Sequence, residues 1–218
     1  MSEQVFQSWL ARLVTEPDLR ESWRANPQGR VQALADLTPL ERKRLAHIAA
    51  HPGLQTTALL HKGFRLGKLR GLLPLTFTLL STRALHVAIS QFWETHPPTS
   101  FYFLPEAIDF CDFLLWREAF SKSKYLREVV SFEKANLELQ RARLGPVPEQ
   151  RIRFEHNPSE LLGTLVQGKR PQRIASGPCL AIGRFSKTHG KPHWEVVALD
   201  GTPLPVADSR SEAINRVT

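Results

Sequence analysis

The sequence predicts an α+β fold, with an N-terminal multi-helix domain followed by a small antiparallel-sheet domain with flanking helices. Up to about residue 145 apolar residues recur at helical spacing, and several helix starts carry their own caps. After that point short alternating runs separated by Gly and Pro take over. Gly145-Pro146-Val147-Pro148 stands between the two patterns and continues neither. The expected domains are residues 1–145 and residues 146–218.

The first helix is expected over about Ser2 to Val14, with Phe6, Trp9, Leu10 and Leu13 on one face. Thr15-Glu16-Pro17, Asn26-Pro27 and Thr38-Pro39 each place a capping residue next to a Pro at the first helical position, where no N–H is needed. Thr38 and Glu41 form the two halves of a capping box. Leu19 and Trp23, then Val31, Leu34 and Leu37, then Leu40, Leu45 and Ile48 mark three short helices. Residues 53–80 contain Gly63, Gly67, Gly71 and Pro74, so one or two short helices with a break near Pro74 are expected. A helix from about Thr82 to Glu94 ends before His96-Pro97-Pro98. Residues 104–120 are apolar on most faces and read as a central helix.

Residues 123–144 form a long amphipathic helix in which Glu133 interrupts the apolar stripe. Such a carboxylate needs a partner or an edge. Beyond the boundary, RIRFEH alternates like a strand, and Asn157-Pro158 caps a helix through LLGTLVQG. CLAIGRFSK and HWEVVALD read as strands joined by Thr188-His189-Gly190-Lys191. Asp200-Gly201 suggests a further hairpin into TPLPV, and Asp208 a last helix through Asn215. The expected order is β-α-β-β-β-α.

A chain of 218 residues buries roughly 70–75% of its unfolded surface, so it needs no staples. Two cysteines, Cys111 and Cys179, cannot build a disulfide scaffold, and a reducing cytosol is the expected setting. The N-terminus has no basic segment leading into an apolar one. The most apolar run, Leu69 to Leu80, falls short of the about 20 residues that a membrane span needs. A soluble cytoplasmic protein with no membrane partner is expected.

Net charge is +8, from 29 Lys and Arg against 21 Asp and Glu. That charge calls for an acidic partner: nucleic acid, anionic lipid or an acidic polypeptide. It is segregated. Eight basic and no acidic residues lie between Arg42 and Trp93, and six and none between Leu161 and Trp194. The second segment overlaps the expected strands, where a basic strand edge recruits an acidic peptide by strand addition.

Catalytic constellations are missing from the sequence. It has no CxxC pair, HExxH, GxGxxG or P-loop. His189 and His193 have a metal-like spacing but span a turn. His47 and His51 fall near a helix end, where they suit the C-terminal dipole. Cys111 reads as a buried inert thiol. Asp109, Asp112 and Glu133 read as structural carboxylates rather than a cluster. No catalytic residue, metal ligand or cofactor is assigned to this chain, which reads as a binding module and not as an enzyme.

Two stretches carry a resemblance. LARLVTEPDLRESWRANPQGRVQALADLTPLERKRLAHI contains a short helix, Leu19-Arg20, Asn26-Pro27, and a helix opening on Thr38 and Glu41. FWETHPPTSFYFLPEAIDFCDFLLW followed by KYLREVVSFEKANLEL contains His96-Pro97-Pro98, Ser100, Asp109-Phe110, Phe113-Leu114, Tyr125-Leu126 and Glu133. Over about residues 8–140 this resembles the partner proteins of multinuclear non-haem iron oxidative enzymes, the MbnC- and TglI-like proteins and the related HvfC/BufC-type proteins, some once labelled DNA-binding. The resemblance implies a role in ribosomal peptide natural product (RiPP) biosynthesis. In that family a TIM-barrel iron enzyme oxidises cysteines of a precursor peptide, and the iron belongs to the enzyme. The partner protein holds the precursor's leader and completes a heterodimer.

Under that reading the helical domain docks on the iron oxidase, and the sheet takes up an acidic leader near Leu180 to Ser186 or Trp194 to Leu199. Arg170, Arg173, Arg184 and Lys187 would attract leader carboxylates. Leu180, Ile182, Phe185 and Trp194 would supply apolar contacts, although Phe185 and Trp194 fit a sheet core equally well. The alternative is a nucleic-acid-binding regulator, supported by charge and by short helices, but without helix-turn-helix spacing. A stand-alone hydrolase or metal enzyme has almost no residue support.

Overall fold

Proline and capping residues start most of the short helices at the N-terminus. The computed structural model describes residues 2–96, 103–117, 123–141, 149–186, 188–200 and 214–215. Its elements are α1 (Ser2–Thr15), α2 (Pro17–Ala25), α3 (Pro27–Gln32), α4 (Pro39–Ala50), α5 (Gly53–Leu72), α6 (Pro74–Leu79), α7 (Thr82–Thr95), α8 (Phe103–Trp116), α9 (Leu126–Arg141), β1 (Gln150–His156), α10 (Pro158–Val166), β2 (Ser176–Ser186) and β3 (Lys191–Val197). The Asp200-Gly201 hairpin, the strand TPLPV and most of the last helix fall outside the described residues, as does the segment 145–148.

The chain divides into two compact units, and the dividing point is not residue 145. One unit holds residues 1–68 with 96–99, and the other holds 69–95 with 100–218. The expected boundary fails because helices on both sides of it share one core. Phe132 of α9 lies 5.1 Å from Trp194 of β3 and 6.3 Å from Phe154 of β1, ring centre to ring centre. No residue before Leu69 belongs to that core.

In the first unit, α1 to α4 bury Leu13, Trp23, Val31, Leu37 and Leu45. Trp9 and Trp23 meet at 5.3 Å with their rings tilted by 32°. Thr38 and Glu41 form the expected capping box at the start of α4, and Asn26 caps α3 through the Gly29 amide. Thr15 does not cap α2. Its hydroxyl turns back to the Ala11 carbonyl, so Glu16 opens α2 without a side-chain cap. Arg20 is buried and donates to the Leu13 and Val14 carbonyls, closing the open end of α1. Residues 53–72, with four glycines, form a single long helix, and the chain breaks at Leu73-Pro74 as expected. Its buried positions Leu54, Ala58, Arg65 and Leu69 make one narrow stripe.

In the second unit, α6 to α9 pack with the sheet. Phe92 of α7 meets Phe110 and Phe113 of α8 at 5.1 and 5.6 Å. The sheet is an antiparallel meander of order β1-β2-β3. Gly190 has a φ of +66°, which places the one residue without a Cβ where the β2–β3 turn needs the left-handed region.

Buried polar groups on α9 hold the second unit together. Glu133 is 4% exposed and accepts the amides of Leu75 and Thr76 at 2.7 and 2.8 Å, which are open N–H groups at the start of α6. Burial pushes its carboxyl up to about 7, although the hydrogen bonds from Thr76 and Leu75 pull it down. Glu128 accepts from the His156 ring at 2.6 Å and from the His156 amide at 3.3 Å. Tyr125 accepts the Ile174 amide through its hydroxyl. Lys134 donates to Asp112 on α8 at 2.6 Å, and Asn136 accepts the Trp194 indole N–H at 2.8 Å.

The indole of Trp194 lies against Gly183, its partner across the β2–β3 ladder. A Cβ at position 183 would sit 2.7 Å from the indole Cη2 and Cζ3 atoms. Gly183→Ala is therefore expected to destabilise the protein by about 2 kcal/mol through overpacking. Urea unfolding measures the loss, and a shift of the tryptophan emission accompanies it. Glu133 adds a pH dependence. Its folded-state value lies above the 4.5 of the free side chain, so the proton is held more tightly when folded. This contribution is complete below about pH 4.5 and is lost as the pH rises through 7, on the order of 3 kcal/mol in all. Glu133→Gln is expected to flatten that fall between pH 5 and pH 8 in urea titrations.

Candidate functional site

An added strand needs outward N–H and C=O groups, so the sheet edges decide where a peptide binds. β2 lies in the middle and is paired on both sides, from Gln150↔Gly183 to Phe154↔Cys179 with β1 and from Leu180↔Val197 to Ser186↔Lys191 with β3. The expected docking strand at Leu180 to Ser186 is thus corrected in part: Leu180 to Gly183 are paired on both sides, while Arg184 to Ser186 pair with β3 alone among the described residues.

Among the described residues β3 is an edge, but it is blocked. The Trp194 amide donates to Asn215 Oδ1 at 2.7 Å, and Asn215 Nδ2 donates to the Trp194 carbonyl at 2.7 Å. The Asn215 amide thus stands where one residue of a fourth strand would stand. Two residues back, Pro192 has no N–H to offer. Two residues on, Val196 also has a partner.

These contacts set the direction of every backbone group across the sheet. Trp194 points its N–H and C=O away from β2, so Gly183 opposite it points its own towards β1. Gln150, Ile152 and Phe154 therefore bond β2, while Arg151 and Arg153 point their N–H and C=O outward. Among the described residues nothing bonds those four groups. At the far end of β1 the register shifts between Phe154 and His156, and the Glu128–His156 pair closes the strand.

Side chains alternate in the same way. Ile152, Phe154, Cys179, Ala181, Trp194 and Val196 are buried against the helices. Arg151, Arg153, Leu180, Ile182, Arg184, His193 and Glu195 occupy the other face. Leu180 and Ile182 are half-buried there, between charged neighbours.

The sequence-predicted residues are divided by this geometry. Leu180, Ile182 and Arg184 share the open face. Phe185 lies on the helix face, half-buried opposite Pro192. Trp194 is fully buried, so it is corrected from a peptide anchor to a core residue. Arg170 is also committed elsewhere, donating to the Thr78 and Leu80 carbonyls at 3.2 and 2.8 Å and closing the end of α6. Arg173 is exposed on the segment before β2, and Lys187 falls outside the described residues.

Arg184 pairs with Glu149, and its guanidinium also reaches Glu195 at 3.5 Å. Hydrogen bonds from Arg151 and Arg184 hold the Glu149 carboxyl below the usual carboxylate range. Arg151 and Arg153 pair with Glu149 and Glu155 at 2.7 Å, while about two-thirds of each Arg side chain stays exposed. Such exposed pairs are weak and exchange partners at little cost.

The residues of this candidate edge that the sequence reading missed are Arg151, Arg153 and Asn215. RIRFEH displays the two arginines at alternate positions, but strand order is not written there.

Among the described residues no group of three or more His, Cys, Asp or Glu could hold a metal ion. Asp112 and Glu133 are held by different partners, and Asp109 is exposed. Burial, with Glu133 and Asp112 nearby, pushes the Cys111 thiol up, which keeps it protonated and inert. His189 faces the Ser186 hydroxyl at 3.0 Å in the turn. No family model matches the chain, and no curated protein matches it.

Arg170→Ala is expected to lower stability by about 1–2 kcal/mol, because two carbonyls at the end of α6 lose a charged donor. Peptide affinity, measured by titration calorimetry, is expected to stay unchanged. A loss of affinity without a loss of stability would return Arg170 to the binding site.

Proposed function

We propose that this chain is a non-catalytic peptide-binding subunit that takes up an extended acidic segment as a fourth strand beside β1. The observation that carries the reading is the outer edge of β1, where Arg151 and Arg153 offer four unpaired backbone groups between two exposed guanidinium groups. Backbone pairing gives affinity whatever the guest sequence, and the arginines select for carboxylates. Leu180 and Ile182 on the adjoining face offer apolar contact.

The resemblance of residues 8–140 directs this reading towards RiPP biosynthesis. The guest is then the leader of a ribosomal precursor, and the partner is an iron-dependent TIM-barrel oxidase that modifies its cysteines. Holding the leader on this chain raises the effective concentration of those cysteines at the partner's iron. The chemistry belongs to that partner, and this chain positions its substrate in the cytoplasm.

Co-expression with a TIM-barrel iron oxidase and a Cys-containing precursor encoded beside this gene tests the assembly. A stable complex is expected on size exclusion, and a chain that elutes alone overturns the oxidase partnership. Fluorescence anisotropy with the labelled leader tests the edge. Arg153→Pro removes one outward N–H and leaves the β1–β2 ladder unbroken, because proline is tolerated at a strand edge. It is expected to weaken leader binding about tenfold, the effect of about one buried hydrogen bond. Arg151→Glu with Arg153→Glu is expected to weaken it further. Unchanged affinity in both variants overturns the strand assignment. Salt-dependent binding of random duplex DNA at physiological ionic strength would favour a nucleic-acid regulator instead.

A further inference from the structure

We propose that the groove between α1 and α4 docks an acidic amphipathic helix of a partner protein. The groove lies wholly within the unit of residues 1–68, so this site is separate from the β1 edge and does not rest on the peptide-binding reading.

Two adjoining hollows of about 440 and 480 Å³ share His47 and Ile48. Phe6 on α1 and Leu40, Lys43 and Arg44 on α4 line the first. Leu10 and Val14 on α1 and Leu54 at the start of α5 line the second. The floor is apolar and the rim is basic, and no Asp or Glu lines either hollow. Leu40 is 57% exposed, a large apolar side chain that the fold leaves in water. Lys43 and Arg44 have no ion-pair partner among the described residues, and the sequence places no acidic residue between Arg42 and Trp93 to supply one.

The spacing fits a helix. Leu40, Arg44 and Ile48 stand four apart along α4, and Lys43, His47 and the C-cap His51 stand four apart beside them, so basic side chains are interleaved with apolar ones along one face. A guest helix with apolar anchors at i, i+3 or i+4 and i+7 would fill the two hollows, and flanking Glu or Asp would meet Lys43 and Arg44. A phosphate backbone would meet only two unpaired cations over an apolar floor, which suits it poorly. A bilayer surface is flat and would leave the hollows unfilled.

The probe is a synthetic acidic amphipathic helix of about 18 residues, with Leu at three- and four-residue intervals between Glu residues. It is titrated into the full isotope-labelled chain and followed by calorimetry and by amide shifts. One-to-one binding in the micromolar range is expected, with shifts concentrated at Phe6, Leu10, Leu40, His47 and Ile48. Lys43→Glu with Arg44→Glu, both exposed, is expected to weaken binding about tenfold or more while the folded spectrum is kept. Arg153→Pro is expected to leave it unchanged, which separates this site from the sheet edge. No saturation by about 1 mM, or shifts centred elsewhere, would overturn the inference. Equal binding of the same peptide with Lys for Glu would overturn the charge selection on which it stands. Self-association, or binding to phosphatidylglycerol vesicles, that is abolished by the same double variant would assign the groove to a second copy or to a lipid surface instead.

Discussion

A buried carboxylate must be met by donors, and Glu133 is met by two backbone amides at the start of α6. That requirement fixes how α9 is rotated. A turn of the helix in either direction would leave a desolvated acid without donors and two helix-start amides without an acceptor. With the rotation fixed, the other polar groups of α9 reach different neighbours: Lys134 reaches Asp112 on α8, Asn136 reaches the Trp194 indole, and Glu128 reaches His156 at the end of β1. One helix thus ties another helix and both outer strands into a single unit, and Tyr125 just before it adds the segment before β2. The apolar side chains of α9, from Leu126 to Leu139 with Phe132 among them, supply burial, and the polar groups select which arrangement receives it.

The same helix decides what the sheet can offer. Because α9 covers one face, only the opposite face and the two outer edges remain for a guest. On β3, the Pro192 ring and the Asn215 amide leave no run of donors. On β1, the outward groups of Arg151 and Arg153 remain. The charge around them is balanced by Glu149, Glu155 and Glu195, so the acidic guest proposed above would have to exchange weak exposed pairs and would meet no standing surplus of positive charge.

Local features were legible in the sequence. The capping box of Thr38 and Glu41, the cap at Asn26, the break at Pro74 and the alternation of β1 all depend on residues within one turn or one strand of each other. The need of Glu133 for a partner was also legible, but the partner lies 58 residues away and consists of backbone. Strand order was hidden for the same reason. The runs that form β2 and β3 looked like binding strands because they are basic, yet position in the sheet and not charge decides whether an edge is open. Arg170 and Trp194 were misread because a long side chain or an indole on a half-polar segment looks the same whether it faces a guest or its own fold. The composition change near residue 145 is real, but Phe132 packs across it onto Phe154 and Trp194.

The Asn215 plug has a consequence for assembly. A protein whose sheet is open on two sides can join copies head to tail without limit, and such stacking ends in fibres. With β3 stoppered at Asn215, the described residues leave each molecule a single valence. A guest strand that arrives at β1 ends the sheet, and two copies that meet there can pair only with each other. Growth stops at the first addition, so the edge can remain exposed without propagating into a polymer.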